Sequence, residues 1–442
     1  MSPVGPRPLD YRSRTVWITW KRRLAFGGAA LVALCGIGVG VYFLVDALNN
    51  KSEQASPPPA PKIVVHTKKP QPKAAQDLGF PEFATKNTTR VAGADPTATA
   101  AGVALAAFPS TGGVPGPDAV SLVDSSDWQS GIAAASLTSP PVSAPILLSG
   151  RNSIPSLTQD AVSALGPGGS AATRGVQVFR VGDAASPSGV DVQHVTGKDP
   201  AAVAAQIDAL RQKLTGTKPA NVLLVSTAEP QYAMPAASWA ARSGDPVLFV
   251  NRDSVPKPTI ETLKRDRGAK VYALGPPSAI SDKVLTNAGS ATSKVVRIGD
   301  PDPVQNAIDF ARYSNGSFGW NITDPGHGLV IASDKDPMDA PAAAALSASG
   351  TWGPLLVTDD PARVPESLRG FLLDIKPGYV DDPTRAVYNH VWIIGDQTTI
   401  SVGFQAQVDD LAEVAPVRSA TGTSVKPPPQ SPSRQKNGKS SK

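Results

Sequence analysis

One cysteine in 442 residues, Cys35, leaves the chain no internal disulfide partner and too few thiolates for a cysteine-based zinc site. The four histidines, His66, His194, His327 and His390, form neither an HExxH pair nor any other ligand spacing, so no metal site is expected. No GxSxG nucleophile elbow, Walker loop or strand-borne GxGxxG occurs. GIGVG at 36–40 lies inside an apolar run, and GPGGSAATRG at 166–175 reads as a loop. The acid pairs Asp359/Asp360 and Asp381/Asp382 sit in proline-flanked turns, and turn formation accounts for them. No catalytic residue and no cofactor is expected, and the chain reads as a non-enzyme.

What is present is enough apolar residue for buried cores. Hydrophobic residues make up 41% of the chain and charged residues 18%, a globular balance with room for two or three domains. Residues 24–45 form an uncharged run of 22, long enough as a helix to cross a hydrocarbon layer roughly 30 Å thick. Such a run exceeds a secretory signal's apolar region, so an uncleaved signal-anchor is expected. Arg12, Arg14, Lys21, Arg22 and Arg23 precede it, which keeps residues 1–23 in the cytoplasm and places everything after Asp46 outside a single-pass anchor in the lipid bilayer. Residues 46–89, with the run PPPAP, read as a linker, and residues 417–442, with PPPQSPS and a lysine-rich end, as a disordered basic tail. The net charge of +5 is misleading, because these tethers hold most of the excess: residues 90–416 carry 24 Lys/Arg against 32 acids, a net of −8. With no basic aromatic stripe, no nucleic-acid partner is expected.

Between the tethers the chain repeats itself. GPLLVTDDPARVPES at 353–367 echoes APILLSGRNSIPSLT at 144–158 and DPVLFVNRDSVPKPT at 245–259. Asp95-Pro96, Asp199-Pro200 and Asp302-Pro303, spaced 104 and 103 residues apart, each open an alanine-rich stretch. Asp as cap with Pro in the first turn predicts a helix start at each. A short apolar strand follows each (SLVDSSDW, LLVSTAEP, LVIASDKD), then an alanine-rich helix, the PILL/PVLF/PLLV strand, a helix beginning near Pro155, Pro256 or Pro365, and a third strand (VQVFRVGD, KVYALGPP, VWIIGDQT). Val/Ile/Leu runs alternating with helices predict parallel strands buried on both faces, and hence α/β units that bind ligands at the strand C-terminal ends. The candidate ligand residues there are Asp124, Asp127 and Ser130; Ser226 and Glu229; and Ser333, Asp336 and Asp339. Helix capping competes with ligand binding for the same side chains.

This order resembles the cell wall-binding repeat 2 family, found in triplicate in surface proteins of Gram-positive bacteria. The resemblance rests on RVAGADPTATA (90–100), VVRIGDPDPVQNA (295–307), ASDKDPMDAPAAAA (332–345), PLLVTDDPARVPESL (354–368), YALGPPSAIS (272–281) and WIIGDQTTIS (392–401). It implies three tandem Rossmann-like repeats, 90–190, 191–293 and 294–416, around a pseudo-threefold axis, and noncovalent attachment to cell-wall polysaccharide or an anionic secondary wall polymer. Pro96, Pro200 and Pro303 stand where the family has Arg, His194 stands where the other copies have Arg90 and Arg297, and the Gly-Gly after the last strand is missing. These departures, with the acidic balance, bear on polymer recognition rather than on fold. The rival expectation is an extracytoplasmic scaffold that uses the same fold to dock envelope protein partners.

Overall fold

The computed structural model describes residues 83–417 except 92, 94, 109–115, 293–294 and 349–352. The expected anchor helix (24–45), the segment 1–23, the linker before residue 83 and the tail beyond Val417 lie outside the described residues. Among the described residues no helix is long and apolar enough to cross a membrane.

The chain opens with a hairpin, β1 (Phe83–Ala84) and β2 (Thr88–Val91), followed by α1 (Pro96–Ala107), β3 (Val120–Asp124), α2 (Trp128–Ala134), β4 (Ile146–Ser149), α3 (Ser156–Leu165), β5 (Val178–Val181) and β6 (Val192–Val195). The succession then recurs as α4 (Pro200–Thr215), β7 (Asn221–Ser226), α5 (Pro230–Ser243), β8 (Val247–Val250), α6 (Lys257–Arg265), β9 (Lys270–Leu274), α7 (Asp282–Ala291) and β10 (Val295–Ile298). It closes with α8 (Pro303–Arg312), β11 (Gly328–Ser333), α9 (Asp339–Ala348), β12 (Leu355–Thr358), α10 (Glu366–Asp374), β13 (Gly378–Tyr379), β14 (His390–Ile394), α11 (Val402–Ala412) and β15 (Ala415–Pro416). The expected α/β class with parallel sheets is what the chain adopts. Sheet I has the order β4-β3-β5-β6, sheet II β8-β7-β9-β10 and sheet III β12-β11-β14-β2-β1, with only β1 antiparallel in these three. β13 and β15 form a separate parallel pair.

Each sheet is completed by a strand from the next stretch of chain: β6 closes sheet I, β10 closes sheet II, and sheet III is closed by β2, from the start of the described chain. The sheets are therefore assembled out of phase with the sequence period read as 90–190, 191–293 and 294–416. The segment 46–89 also ends in structure rather than in linker. Thr85, Asn87 and Thr88 are polar, as linker residues are, but Asp409 on α11 accepts from Thr85 Oγ1 at 2.5 Å and from the Asn87 amide at 2.8 Å, which fixes the hairpin turn.

The helix starts follow from capping. Asp95, Asp199 and Asp302 each precede a proline and accept from the amides of Ala98, Ala202 and Val304, so the side chain satisfies an amide that the helix itself leaves free. Pro155, Pro256 and Pro365 lie in extended backbone immediately before α3, α6 and α10. The middle helices α2, α5 and α9 pack against one another, and every residue of α9 is buried. Alanine lets them approach closely. At Gly131 on α2 an added Cβ lies 2.8 Å from Pro341 Cγ on α9, so the contact there is backbone against ring. α9, buried along its whole length, is built largely of alanine, which is why it reads as an alanine run rather than as an amphipathic stripe.

Arginines in the closing strands serve the fold. Arg90 is fully buried and donates to Gln405 Oε1 (2.9 Å) and to the carbonyls of Gly395 (2.8 Å), Asp396 (2.9 Å) and Ser401 (3.3 Å). Arg297 does the same for sheet II, with the carbonyls of Gly275 and Ile280 at 2.7 Å each. In sheet I the corresponding residue is His194, and its register partner on β5 is Arg180, which donates to the Ala184 carbonyl. The guanidinium has crossed to the neighbouring strand and still braces the loop after β5. The departure at His194 is thus a compensated structural change.

A buried acid pair lies between α4 and α6. Asp208 and Asp266 are each 2% exposed and bridged by Gln212 Nε2 (2.9 and 2.8 Å), with Arg265 on Asp208. Burial, reinforced by the adjacent Asp266, pushes Asp208 up to about 7. The native state therefore holds this proton more tightly than the unfolded chain does. Stability from this source is full below the ordinary carboxylate range and is lost as pH rises toward about 7. We expect a melting temperature several degrees higher at pH 5 than at pH 8, with a flatter profile in Asp208→Asn. A profile unchanged in that variant would refute the assignment.

Candidate functional site

The polar residues at the C-terminal ends of β3, β7 and β11 fall into three equivalent positions. The first holds Asp124, Ser226 and Ser333, whose side chains accept from the amides two residues on: Ser126 (2.9 Å), Ala228 (3.1 Å) and Lys335 (3.2 Å). The second holds Asp127, Glu229 and Asp336 at the mouth of the middle helix. Asp127 caps α2 through the Ser130 amide at 3.0 Å, whereas Glu229 makes no cap bond and accepts from Gln231 Nε2 at 2.8 Å. The third holds Ser130, Tyr232 and Asp339. Capping and turn bonds thus occupy Asp124, Asp127, Ser226 and Ser333.

The structure does not gather all these residues into one place. They sit at the ends of three separate sheets, in loops between strand and helix where parallel sheets leave a crevice. The loops of sheets I and II touch, since Gln129 Nε2 donates to the Thr227 carbonyl at 3.2 Å and Trp128 packs edge-on against Phe249 at 6.0 Å.

Their electrostatics differ. At Asp124 burial works against ionisation, but the bonds from Ser126 and from Arg151 Nε (2.6 Å) prevail and hold the carboxyl below its ordinary value. At Asp339, 3% exposed, burial pushes the carboxyl up to about 8, helped by Asp336 and Asp396. Among the described residues no group of His, Cys, Asp or Glu is arranged to hold a metal ion.

The loop after the third strand of each sheet contributes as well. Gly182, Gly275 and Gly395 all have positive φ there. A Cβ on Gly182 would lie 3.5 Å from Asp127 Oδ2, and one on Gly275 would lie 3.3 Å from Tyr232 Cβ. A side chain at either point would fill the space over the middle helix, which is why glycine recurs at the end of the third strand.

Residues 194–285 match the family model for cell wall binding domain 2 (CWB2). The CWB2 match begins on β6 and ends within α7, so it spans one full succession of elements including the Glu229 and Gly275 loops. It supports the cell wall-binding 2 family and a cell-wall-binding role. Two solved structures are similar: Cwp6 from Clostridium difficile, at a TM-score of 0.58 and 21% identity over 74% of this chain and 47% of that one, and Cwp8 from Clostridium difficile, at 0.57 and 18% over 74% and 52%. At this identity the likeness shows the fold. The chain spans about half the length of each. No curated protein matches the chain.

Several residues of these loops are absent from the sequence reading. Tyr232 escaped because its copies are Ser130 and Asp339, which share no chemistry with it. Asp396 escaped because it follows a different strand and is brought near Asp339 only by the fold. Arg151 lies in a loop after β4, where nothing in the local pattern marks a partner for Asp124.

Proposed function

We propose that this chain is a non-catalytic, membrane-anchored protein whose three CWB2-type units, set about a pseudo-threefold axis, hold an envelope glycopolymer outside the cell. The observation that carries the reading is the CWB2 match over 194–285, together with the recurrence of the same strand order in sheets I and III. The uncharged run 24–45 with its basic N-terminal flank supplies the anchor in this reading, and the proline-rich linker spaces the folded part from the bilayer. The loops at the strand ends offer carboxylates and hydroxyls, which accept and donate hydrogen bonds to sugar hydroxyls. Their acids disfavour a bare phosphate polymer and favour a neutral or hydroxyl-rich one.

Sedimentation with purified walls tests this. The full-length protein is expected to co-sediment with native walls and to be retained at least several-fold less on walls stripped of their secondary polymer. Equal retention on both would count against polymer recognition.

A second reading, docking of envelope proteins, has one observation in its favour. The stretch between α10 and β14 exposes Val380, Val387 and Tyr388, with Leu373 and Val417 also exposed. Crosslinking in intact cells that yields defined protein adducts at this stretch, with wall retention lost, would favour that reading.

A further inference from the structure

Charge is divided unevenly among the three successions. Residues 191–293 carry 12 Lys/Arg against nine acids, in a folded part that is otherwise acidic, while residues 294–416 carry eight against 17. Lys213, Lys218, Lys264, Arg267 and Lys270, with Arg174 from the preceding succession, are exposed at one pole of sheet II, at the N-terminal ends of β7 and β9 and away from the strand-end loops described above. Hydrogen bonds tie them into one surface. Arg174 Nη2 donates to the Lys213 carbonyl at 2.6 Å, Lys218 Nζ to the Arg265 carbonyl at 2.8 Å, and the Lys270 amide to the Ala220 carbonyl at 2.9 Å. Gln212, bonded to Asp266 at 2.8 Å, sets the end of α4 beside the end of α6.

Local explanations fall short. Cations at a helix C-terminus suit its dipole, which accounts for Lys213 and Lys264 in the last turns of α4 and α6 but not for the four others, which lie outside any helix. Ion pairing does not account for them either, since none of the six has an acid partner among the described residues. The acids beneath, Asp208 and Asp266, are buried, bridged by Gln212 and engaged by Arg265, and Glu261, one turn back on α6, pairs with Lys257 at 3.7 Å. Nor does the fold require cations here. The equivalent pole of sheet I carries Asp118 and Asp191, and that of sheet III carries Asp374, Asp381 and Asp382. Like charges gathered without partners repel one another, and a surface of opposite charge relieves that repulsion.

We propose that this pole of sheet II rests on anionic lipid headgroups, so that the folded part touches the bilayer that holds its anchor. This rests on the membrane-anchored reading and adds an orientation to it. As coil, residues 46–82 span roughly 30–36 Å, which keeps the pole within reach of the headgroups and lets a weak attraction act. The acids of the sheet III pole are repelled by the same surface, so the charge distribution turns the molecule as well as holding it. The strand-end loops of sheet II, with Glu229 and Tyr232, then face away from the lipid.

Lysine acetylation of the full-length protein in lipid nanodiscs, read residue by residue by mass spectrometry, tests this. Lys213, Lys218, Lys264 and Lys270 are expected to react about threefold or more slower in discs with about one-third phosphatidylglycerol than in phosphatidylcholine discs, with exposed Lys335 unchanged as the reference. Sodium chloride at about 0.5 M should abolish the difference. The combined variant Lys264→Glu, Arg267→Glu, Lys270→Glu is expected to lose the protection of Lys213 and Lys218 while melting close to the wild type, because all three side chains are exposed. The lipid and salt arms need no variant and decide the matter should it melt early. Equal rates in both discs, or protection that survives high salt or the charge reversal, would overturn the proposal. So would protection that appears only on adding a soluble phosphate-bearing wall polymer, which would assign the pole to the wall. If the protein stays in the discs with its lysines unprotected, this inference alone fails; if it does not stay in them, the anchored reading fails with it.

Discussion

Arg90→Ala is expected to destabilise the protein by about 3–4 kcal/mol, far more than alanine replacement at an exposed arginine. The side chain is fully buried and donates to the Gly395, Asp396 and Ser401 carbonyls and to Gln405 Oε1, of which the Asp396 and Ser401 carbonyls also accept from the amides of Ile400 and Gln405. Its removal takes the guanidinium from the Gly395 carbonyl and Gln405 Oε1, each loss costing roughly 1–3 kcal/mol less whatever water or a neighbour recovers, and also empties a fully buried site. The same bonds hold β2 onto β14, so the loss falls on the strand that completes sheet III. Thermal melts together with limited proteolysis give the readout, with early cleavage near the β1–β2 hairpin as the companion sign. Arg297→Ala is the comparison. That side chain is 18% exposed and its ion pair with Asp282 is largely solvated, so a loss of about 1–2 kcal/mol is expected. Equal losses at the two positions would show that closure by β2 has no special weight.

Phe318→Ala is expected to cost about 3–5 kcal/mol, the usual range for emptying a large aromatic site. Phe318 is fully buried and lies flat on Tyr272 of β9, with centroids 3.7 Å apart and planes 2° apart. Trp239 of α5 meets Phe318 at 5.0 Å and Trp320 at 5.3 Å, both edge-on, and Phe310 of α8 completes the cluster. Trp239 is itself fixed by Asp245, which accepts its Nε1 hydrogen at 2.8 Å. Phe318 and Trp320 come from the segment after α8, Tyr272 and Trp239 from sheet II and its helix, so the cluster joins one succession to the next. Chemical denaturation should show the loss, and Phe318→Leu should recover part of it. A loss below about 1 kcal/mol for the alanine variant would mean that the cavity collapses or fills.

The elements most legible in the sequence are those whose physics is local. An Asp-Pro step announces its helix because cap and first turn are adjacent, and PILL, PVLF and PLLV read as buried strands because all four residues are buried. β2, β6 and β10 were opaque for the converse reason. TTRV and VQHV mix polar with apolar residues and VVRI is only partly buried, so none carries a clean strand signal; β6 and β10 then pair with the preceding strands β5 and β9, while β2 pairs with β14 far along the chain. The aromatic cluster was hidden likewise, since Phe318 and Tyr272 are neighbours in space alone. Of the ligand candidates, the sequence located the loops correctly at strand ends. It had no means of distinguishing Asp127, engaged as a cap, from Asp339, whose carboxyl meets no donor among the described residues, because that difference depends on what the fold packs around each.

Closure of sheet III by β2 also bears on how the polypeptide matures. Thr88–Val91 leave the ribosome some 300 residues before the partner strand His390–Ile394, as the 305-residue separation between Arg90 and the Gly395 carbonyl shows. Until His390–Ile394 has been made the nascent chain carries an unsatisfied edge, and contacts of such long range form slowly. Products shortened at the carboxyl end would keep that edge open for good, which makes them natural substrates for chaperones and quality-control proteases.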